Sequence, residues 1–532
     1  MIAEHYGKVR IFRSSPAIVH GLRVAARSHL LDGFRVGEYR GAAEINSLIQ
    51  QQYAFFARRL ESCLPKLVSN DALQFVLFQY DEAAQILHGH GIDNDEERSR
   101  WLIREGNLRR ALKYLAEMIC LHNVRVPAKC SRRESWRAMD QALLCAEMML
   151  DMAEMSNRVF SIFPHDCAAS VYAEGGPLDW EVHITGRFAG YDREMMTRLE
   201  RDRKHRADFL EGHAFDIDGN RHAEVLDPAF ESAFGWSYAR FIGGLGKIVD
   251  GSVPAPGEFP TLFIERRKIV EQFVSYGEPQ AAVERMLAGF TIDPAKMEAE
   301  QRVAWNPKQE NRAYRRGFFQ CPHRLGTHLA FSRAMAKECL IHLVHGLAYK
   351  RIPVDWRHPT IDAALVKLSD RAGNWFENAV RVNLHRLGFV GGRAQALIGS
   401  GTQEVIVPPE VGELDFVGVS VKERLILLVE AKMVNSGVEA KFWRDDISEF
   451  TNGPKSYASK FRRKIAWVRS NSAAVAAALG VAGDVRIAPV MITLYPCIAR
   501  LFISDFQCVS ITEFMLDYGI SGSWPYESHQ TS

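Results

Sequence analysis

A short apolar run that ends abruptly in charged residues places the strictest limit on how this chain folds. Residues 425–429 are Leu-Ile-Leu-Leu-Val, and Glu430-Ala431-Lys432 follow directly. A continuous apolar run of this length is typical of a strand that is covered on both faces of its sheet. Glu430 and Lys432 are two positions apart, so they project from the same face, with Cα atoms roughly 6–7 Å apart. The run therefore predicts a central strand that carries a carboxylate and an ammonium group to its end.

A second strand-like segment, just before this run, supplies more acid. In residues 412–419, Gly-Glu-Leu-Asp-Phe-Val-Gly-Val, Glu413 and Asp415 share one face of the predicted strand. If the two strands pair as a hairpin, the carboxylates of Asp415 and Glu430 converge. Buried carboxylates are costly unless a cation compensates them. Mg²⁺ prefers one or two protein carboxylates and leaves its other positions to water and substrate phosphate. We therefore expect a site for Mg²⁺, which Mn²⁺ can also fill, on Asp415 and Glu430.

Two further side chains complete the predicted site. Lys432 is expected to orient or deprotonate the attacking water, or to neutralise charge on the phosphate. Glu377 follows Phe376 on the rim of an apolar stripe, and Gly388 ends the helix that this stripe predicts. We expect Glu377 to reach the same cluster, either as a third metal ligand or as a group that positions water.

The segments around this site predict an α/β arrangement. After the helix that carries Glu377, the pattern predicts strands over residues 402–408, 413–421 and 424–432, a basic amphipathic helix over 456–469, and closing strands over 485–495 and 499–506. The order is helix, three strands, helix, strand. A sheet with helices on its faces is the expected solution for such an order.

Together these residues resemble the PD-(D/E)xK nuclease superfamily, over roughly residues 355–520. The resemblance implies a C-terminal restriction-endonuclease-like core, a mixed sheet flanked by helices. It implies that Asp415 and Glu430 bind Mg²⁺. It further implies that Lys432 assists the nucleophilic water and that Glu377 corresponds to the less uniform acid of the helix. The implied activity is that of a metal-dependent endonuclease, with DNA as the expected substrate and restriction or defence against invading DNA as the expected role.

A run of basic residues without Asp or Glu follows the predicted site and is interleaved with aromatic residues. The members that we expect to bind nucleic acid are Lys455, Lys460, Arg462, Arg463 and Lys464. Contacts of Lys and Arg to the phosphate backbone supply most non-specific affinity for nucleic acid. The alternative is a solvated helix face whose aromatic residues, Tyr457, Phe461 and Trp467, lie in the core.

The longer N-terminal part carries no comparable motif. Apolar residues at three-to-four spacing predict an α-helical domain over residues 1–158. Residues 159–354 mix short alternating stretches with helical patterns and predict an α+β middle region of unknown role, in which Asp218-Gly219 forms a hairpin turn. The nuclease-like domain is predicted over 355–532. We expect the N-terminal region to recognise substrate, a partner protein or a second copy in a homodimer.

Composition excludes several classes of protein. The 66 Lys and Arg residues against 64 Asp and Glu give a net charge of +2, so binding of nucleic acid depends on local patches. The 9 cysteines include no Cys-x-x-Cys pair, which argues against a zinc ribbon or a disulfide framework. No apolar run approaches the roughly 20 residues of a membrane span. We therefore expect a cytoplasmic protein without a membrane partner.

Two other functions stay open on the sequence. One is a nuclease-fold protein that binds nucleic acid or assembles with partners without turnover, although every expected charged position is filled. The other is an RNA-directed or structure-specific nuclease, because residues 388–401 resemble a segment of Holliday-junction resolvases. In that case Arg393 and Ser400 are the expected contacts to the nucleic-acid backbone.

Overall fold

The protein is known from a computed structural model. The described residues are 1–6, 9–67, 70–87, 95–123, 130–173, 179–210, 219–251, 261–297, 310–323, 326–399, 403–434 and 440–526. They form a mixed α/β structure. The chain divides into two compact units, of which the first is Met1–Arg187 with Asp216–Leu368 and the second is Phe188–Phe215 with Ser369–Ser532.

Helices carry most of the regular structure. Their bounds are α1 Pro16–Leu31, α2 Ala42–Cys63, α3 Asn70–Leu87, α4 Asp95–Asn123, α5 Arg132–Asn157, α6 Tyr191–Phe209, α7 Gly219–Phe234, α8 Tyr238–Asp250, α9 Arg266–Ser275, α10 Gln280–Phe290, α11 Arg333–Gly346, α12 Pro359–Arg386, α13 Ala440–Thr451, α14 Tyr457–Ser470, α15 Ser472–Ala478 and α16 Ile511–Ser521. None of the helices in the described part of the chain is both long and apolar enough to cross a membrane.

The strands form sheets of two to five members. Their bounds are β1 Ile2–Tyr6, β2 Val9–Arg13, β3 Gly37–Arg40, β4 Cys167–Val171, β5 Trp180–Ile184, β6 Thr261–Glu265, β7 Thr291–Ile292, β8 Phe318–His323, β9 Gly326–Ser332, β10 Val390–Ala394, β11 Leu397–Ile398, β12 Val405–Ile406, β13 Leu414–Ser420, β14 Leu425–Lys432, β15 Arg486–Thr493 and β16 Gln507–Ser510. The strand orders are β1-β2, β3-β4-β5, β6-β9-β8-β7, β11-β12 and β10-β13-β14-β15-β16.

The first unit is built largely on the helices that the sequence predicts. Helices α2, α4 and α5 coincide with the three longest helical patterns of residues 1–158, and their apolar faces share one core with α1 and α3. Strands β1, β2 and β3 also occur in this region. Each has only four or five residues, too few for the period-two alternation to stand out from the helical pattern beside it.

The hairpin turn predicted at Asp218-Gly219 falls partly on residues that the structure does not describe. Residues 211–218 lie outside the described residues, and Gly219 begins helix α7. Within this helix His222, Leu226 and Phe230 are buried. Their spacing of four residues is that of one helical face. The few alternating residues after Gly219 were too short a stretch to distinguish a strand from this helix.

The second unit contains a five-stranded mixed sheet. Strand β13 pairs antiparallel with β10 and β14, whereas β15 runs parallel to both β14 and β16. On one face Ile426 and Leu428 of β14 belong to the same core as Phe461 of α14. On the other face Leu427 packs in a core with Phe376 of α12. The prediction that residues 425–429 form a strand covered on both faces is therefore confirmed.

The first strand of this sheet differs from the prediction. Of the described residues 403–408, only Val405–Ile406 form a strand, β12, and it pairs with β11 outside the five-stranded sheet. The edge of the sheet is β10 instead. Its backbone approaches β13 so closely that a Cβ atom on Gly391 would lie 2.2 Å from the Val417 carbonyl oxygen. Only glycine permits this approach, and glycine-rich segments do not resemble strands in sequence.

Replacing Gly391 by alanine is expected to lower the free energy of unfolding by about 2 kcal/mol or more, because the added methyl group meets backbone atoms that cannot move aside. Gly392→Ala is the matched control, since a Cβ atom at Gly392 has nothing within 4 Å. We expect it to change stability by about 0.5 kcal/mol at most. Urea denaturation of both variants measures the difference, and equal losses would contradict the close approach of β10 to β13.

Helix α6 belongs to the second unit although it lies far from the rest of that unit in sequence. Arg198 Nη1 is 2.6 Å from Glu513 Oε1 of α16. The Thr512 hydroxyl donates a hydrogen bond of 2.6 Å to Asp202 Oδ1. The second unit is therefore discontinuous in the chain. The three-domain division drawn from the sequence stays a prediction.

Candidate active site

The hairpin expected around the acidic residues is present. Strands β13 and β14 pair antiparallel, with Phe416 opposite Val429. This register puts Asp415 beside Glu430 on the same face of the sheet. The Ala431 backbone N–H donates a hydrogen bond of 2.8 Å to Asp415 Oδ2, which fixes that carboxylate against the neighbouring strand. The side chains of Asp415 and Glu430 are only 11% and 4% exposed, so two carboxylates are buried side by side.

The ammonium group of Lys432 lies among three oxygens. Its Nζ is 2.8 Å from Glu430 Oε1 and 3.6 Å from Asp415 Oδ2. The same Nζ donates to the Ala431 carbonyl oxygen at 3.1 Å. Burial acts to lower the pKa of Lys432, but the Glu430 and Asp415 carboxylates outweigh it and raise that pKa above its ordinary value. Two carboxylates and a carbonyl thus converge on one cation.

Lys464 was predicted to bind nucleic acid, but the structure buries its side chain. It is buried on α14, and its Nζ is 2.5 Å from Glu430 Oε2. Both carboxylate oxygens of Glu430 therefore have an ammonium partner. The burial of Lys464 could have been predicted from helical spacing, because it lies three residues after Phe461 and four before Val468, and both of these are buried. A lysine at that position of the stripe faces the sheet.

Tyr457 closes one side of the cluster. The Lys432 Nζ lies 5.5 Å from the centroid of the Tyr457 ring, within the range of a cation–π interaction. The Tyr457 hydroxyl donates a hydrogen bond to Glu449 of α13, which fixes the ring. The sequence predicted no role for Tyr457 beyond a core or basic-helix aromatic, because its approach to Lys432 depends on how α14 packs on the sheet.

Glu377 lies beside the cluster on α12. Its Oε2 is 3.5 Å from Arg393 Nη1. This oxygen atom is nevertheless buried and accepts no hydrogen bond from the described residues, although the Glu377 side chain as a whole is 25% exposed. Burial raises the pKa of Glu377, and the negative charge of Asp415 raises it further. Glu377 therefore interacts electrostatically with the carboxylates of the hairpin, and its Oε2 accepts no hydrogen bond from the described residues.

Arg393 on β10 connects Glu377 to the acidic face of β13. Its Nε forms an ion pair with Glu413 Oε1. The same oxygen accepts a hydrogen bond of 3.4 Å from Gln395 Nε2. Glu413 is thus partnered by residues of its own sheet edge. Ser400, the other residue of the resolvase-like segment, lies outside the described residues.

The cluster carries more negative than positive charge. With the ion pairs of Arg393 included, there are four acids and three bases: Asp415, Glu430, Glu377 and Glu413 against Lys432, Lys464 and Arg393. Burial, together with the Glu430 carboxylate, raises the pKa of Asp415, as expected where negative charge is in excess. A cation would relieve this excess. Within the described residues, no group of three or more His, Cys, Asp or Glu side chains is arranged to hold a metal ion.

The other basic residues of the predicted nucleic-acid surface have different surroundings. Arg462 forms a two-point ion pair with Asp505, with distances of 2.7 and 2.9 Å. Lys455, Lys460 and Arg463 are exposed, and none of them forms an ion pair with any residue that the structure describes. The exposed basic surface beside the cluster is therefore smaller than predicted, with Lys455, Lys460 and Arg463 free to contact a ligand.

The arrangement as a whole combines buried acids, two lysines and a basic helix surface at the end of one hairpin. Such a set can bind a divalent cation and orient water against a phosphate group. No protein-family model, curated protein or solved structure matches the chain.

Proposed function

We propose that the chain is a metal-dependent nuclease of the PD-(D/E)xK type that cleaves DNA internally, in restriction or another defence against invading DNA. The observation that carries this proposal is the convergence of Asp415 Oδ2, Glu430 Oε1 and the Ala431 carbonyl oxygen on a single cationic nitrogen. Oxygen atoms of these kinds are the ligands that Mg²⁺ prefers. The Lys432 ammonium group lies between these three oxygens, which shows that their arrangement suits a positively charged group.

The fold of the second unit supports the proposal. The order α12, β10, β13, β14, α14, β15 is helix, three strands, helix, strand, with strands β11 and β12 and helices α13 and α15 as additional elements between them. The sheet is mixed and has helices on both faces. The resemblance of the sequence to PD-(D/E)xK nucleases implies such a core, with the acids on the second and third strands.

The residues present also suit the chemistry. A bound Mg²⁺ would acidify a water molecule and stabilise negative charge on the phosphate. Asp415 and Glu430 would hold the ion, and the Ala431 N–H keeps the Asp415 carboxylate in position. Lys432 orients the water for in-line attack and balances charge on the phosphate. Glu377 Oε2, which accepts no hydrogen bond from the described residues and has only the 3.5 Å ion pair with Arg393, can accept a hydrogen bond from that water.

Substrate binding is assigned to the exposed basic residues next to the cluster. Lys460 lies between Tyr457 and Lys464 along α14, three residues after one and four before the other. It therefore lies on the flank of the helix that borders the carboxylates. Lys460 and Arg463 can bind phosphates of the backbone without reading bases. This favours nucleic acid as the substrate and gives no sequence preference by itself.

One observation favours the second candidate, a nuclease-fold protein that binds nucleic acid without turnover. Both oxygens of Glu430 already have an ammonium partner, Lys432 on one side and Lys464 on the other. A metal ion must compete with these lysines for the carboxylate. In a protein without catalytic activity, the two lysines would neutralise Glu430 in place of a metal ion. The cluster would then only stabilise the sheet.

A cleavage assay separates the two. Wild type, Lys432→Ala and Lys422→Ala are incubated with duplex DNA, single-stranded DNA and RNA, each with Mg²⁺, Mn²⁺ or EDTA. Lys422 is the matched control because it is exposed in the turn at the other end of the hairpin. We expect wild type and Lys422→Ala to cleave DNA with either metal and not with EDTA. Lys432→Ala should lose activity by about 1,000-fold, which corresponds to roughly 4 kcal/mol of barrier.

The outcomes are distinct. Cleavage of circular duplex DNA establishes an endonuclease, and preference for RNA would move the proposal to the RNA-directed alternative. Binding of DNA without cleavage by any metal supports the silent protein. If Lys432→Ala cleaves as well as wild type while retaining its melting temperature, the assigned site is wrong.

A further inference from the structure

A cavity in the first unit has the properties of a ligand site unrelated to the carboxylate cluster. It encloses about 620 Å³ and lies between strand β2, helix α3 and the start of helix α5. Small-molecule sites in proteins typically have volumes of about 300–1,000 Å³. The size alone admits many ligands, so the chemistry of the walls must decide among them.

One wall of the cavity is aromatic. The rings of Phe12 and Phe75 meet edge to face with centroids 5.6 Å apart, and those of Phe75 and Trp136 do so at 5.0 Å. All three line the cavity. Trp136 is 41% exposed, which is unusual for so large an apolar side chain. An exposed indole next to two phenyl rings offers a surface on which a flat ring can stack.

The rim of the cavity is cationic. Arg10, Lys66 and Arg132 line it together with one acid, Asp71, among the described lining residues. Arg10 lies 5.0 Å from the centroid of the Phe12 ring. None of the three cations forms an ion pair with a described residue. Unpaired cations at the mouth of a cavity favour an anionic ligand.

The start of helix α5 adds to this positive potential. Ser131 lines the cavity and is the N-cap of α5, a helix that begins at Arg132 and has 26 residues. The N-terminal end of a helix carries a partial positive charge. The helix end therefore adds to the field of the three side chains, although the Glu134 carboxylate of the capping box lies at the same end and offsets part of that field.

From these features together we propose that the cavity binds a nucleotide, with its base on the aromatic wall and its phosphate at the cationic rim. Base stacking on aromatic side chains and phosphate binding by Arg are the two interactions that the walls supply. An uncharged apolar ligand would leave Arg10, Lys66 and Arg132 without a partner. A simple inorganic anion would leave the aromatic wall uncovered. The ligand is either a free nucleotide or a nucleotide at the end of a strand.

Calorimetric titration of the intact chain tests the proposal. The probes are the common nucleoside 5′-monophosphates, the corresponding nucleosides, inorganic phosphate and a ten-residue oligothymidylate. EDTA is present throughout, so no metal-dependent cleavage interferes. We expect at least one monophosphate to bind at least about tenfold more tightly than its nucleoside and than inorganic phosphate, because each of these lacks one half of the interaction. Tighter binding of the oligonucleotide than of every monophosphate would assign the site to a strand end.

Matched variants locate the binding. Trp136→Ala is expected to weaken it by at least about fivefold through loss of stacking. Arg132→Ala should weaken it by about tenfold and reduce its salt dependence. Arg133→Ala is the control, since Arg133 is exposed on the same helix and does not line the cavity. Melting temperatures of all variants identify any that fail to fold.

Two results would overturn the proposal. One is the absence of binding by every nucleotide and by the oligonucleotide at millimolar concentration. The other is binding that Trp136→Ala and Arg132→Ala leave unchanged in folded protein. Neither result bears on the proposed nuclease, because cleavage depends on residues of the second unit and is measured separately. If the protein cleaves DNA but binds no nucleotide in EDTA, the proposed nuclease activity stands and the proposed nucleotide site is refuted.

Discussion

Asp415→Asn is expected to abolish metal-dependent cleavage and to raise the melting temperature of the same protein. Under the proposed function Asp415 holds the metal, and asparagine keeps its shape while losing its charge. We expect a loss of about 1,000-fold, equivalent to roughly 4 kcal/mol. The amide oxygen of asparagine can still accept the hydrogen bond from the Ala431 N–H. The variant therefore removes charge with little change in packing.

The gain in stability follows from the pKa of Asp415. Burial and the Glu430 carboxylate raise this pKa above the ordinary value of 3.8. Ionising Asp415 in the folded protein is then harder than in the unfolded chain, so its charge costs stability at every pH above 3.8. Asparagine does not ionise and avoids that cost. We expect the melting temperature at pH 7 to rise, and each 1 kcal/mol of recovered stability shifts the midpoint by roughly 2–4 °C in a domain of this size.

The control for this prediction is Asp484→Asn, a change of the same kind at an exposed aspartate of the second unit. It should affect neither cleavage nor melting. The gain of Asp415→Asn should shrink as the pH falls toward 4, where the wild-type carboxylate becomes protonated. A fall in melting temperature at pH 7 would mean that the ion pair with Lys432 outweighs burial. Undiminished cleavage would remove Asp415 from the proposed metal site.

The hairpin could be predicted from the sequence because the two features that determine it, the alternation along each strand and the pairing of adjacent strands, are local. Glu430 and Lys432 share a face by the period of a strand, and Asp415 joins them once the strands pair antiparallel. Because residues 425–429 are all apolar, neither face of strand β14 could be exposed to solvent. The placement of Asp415, Glu430 and Lys432 followed from alternation within twenty residues, so the structure and the sequence agree on these three side chains.

Other parts of the second unit depend on contacts that no local pattern records. Helix α6 joins this unit through Asp202 and its neighbours, more than 300 residues before Thr512. Strand β10 forms because Gly391 permits a close backbone approach, and a glycine pair normally indicates a turn. Helix α6 is rich in charged residues, as surface helices are, and β10 is the short segment Val-Gly-Gly-Arg-Ala. The position of each segment depends on the element it packs against, α16 for α6 and β13 for β10, and the sequence of the segment itself does not indicate that element.

Lys464 shows the same limit for a single side chain. Within a basic run it resembles Lys460 and Arg463, which are exposed. The structure buries it against Glu430 instead. Lys464→Met is therefore expected to destabilise the protein, because Met fills the space while Glu430 Oε2 loses its ammonium partner. Removing one partner of a buried ion pair costs about 3–5 kcal/mol, and we expect the lower end since Lys432 still partners the other oxygen.

Lys460→Met is the matched control, one helical turn earlier on α14 and exposed. We expect it to change the free energy of unfolding by about 0.5 kcal/mol at most. The double variant Lys464→Met with Glu430→Gln should recover more than half of the loss, because a buried amide costs less than a buried unpaired charge. Urea denaturation of wild type, Lys464→Met, Glu430→Gln and the double variant gives the coupling between the two sites. If Lys464→Met is no less stable than Lys460→Met, Lys464 does not compensate Glu430, and the excess negative charge that favours a metal ion is larger than the ion pairs suggest.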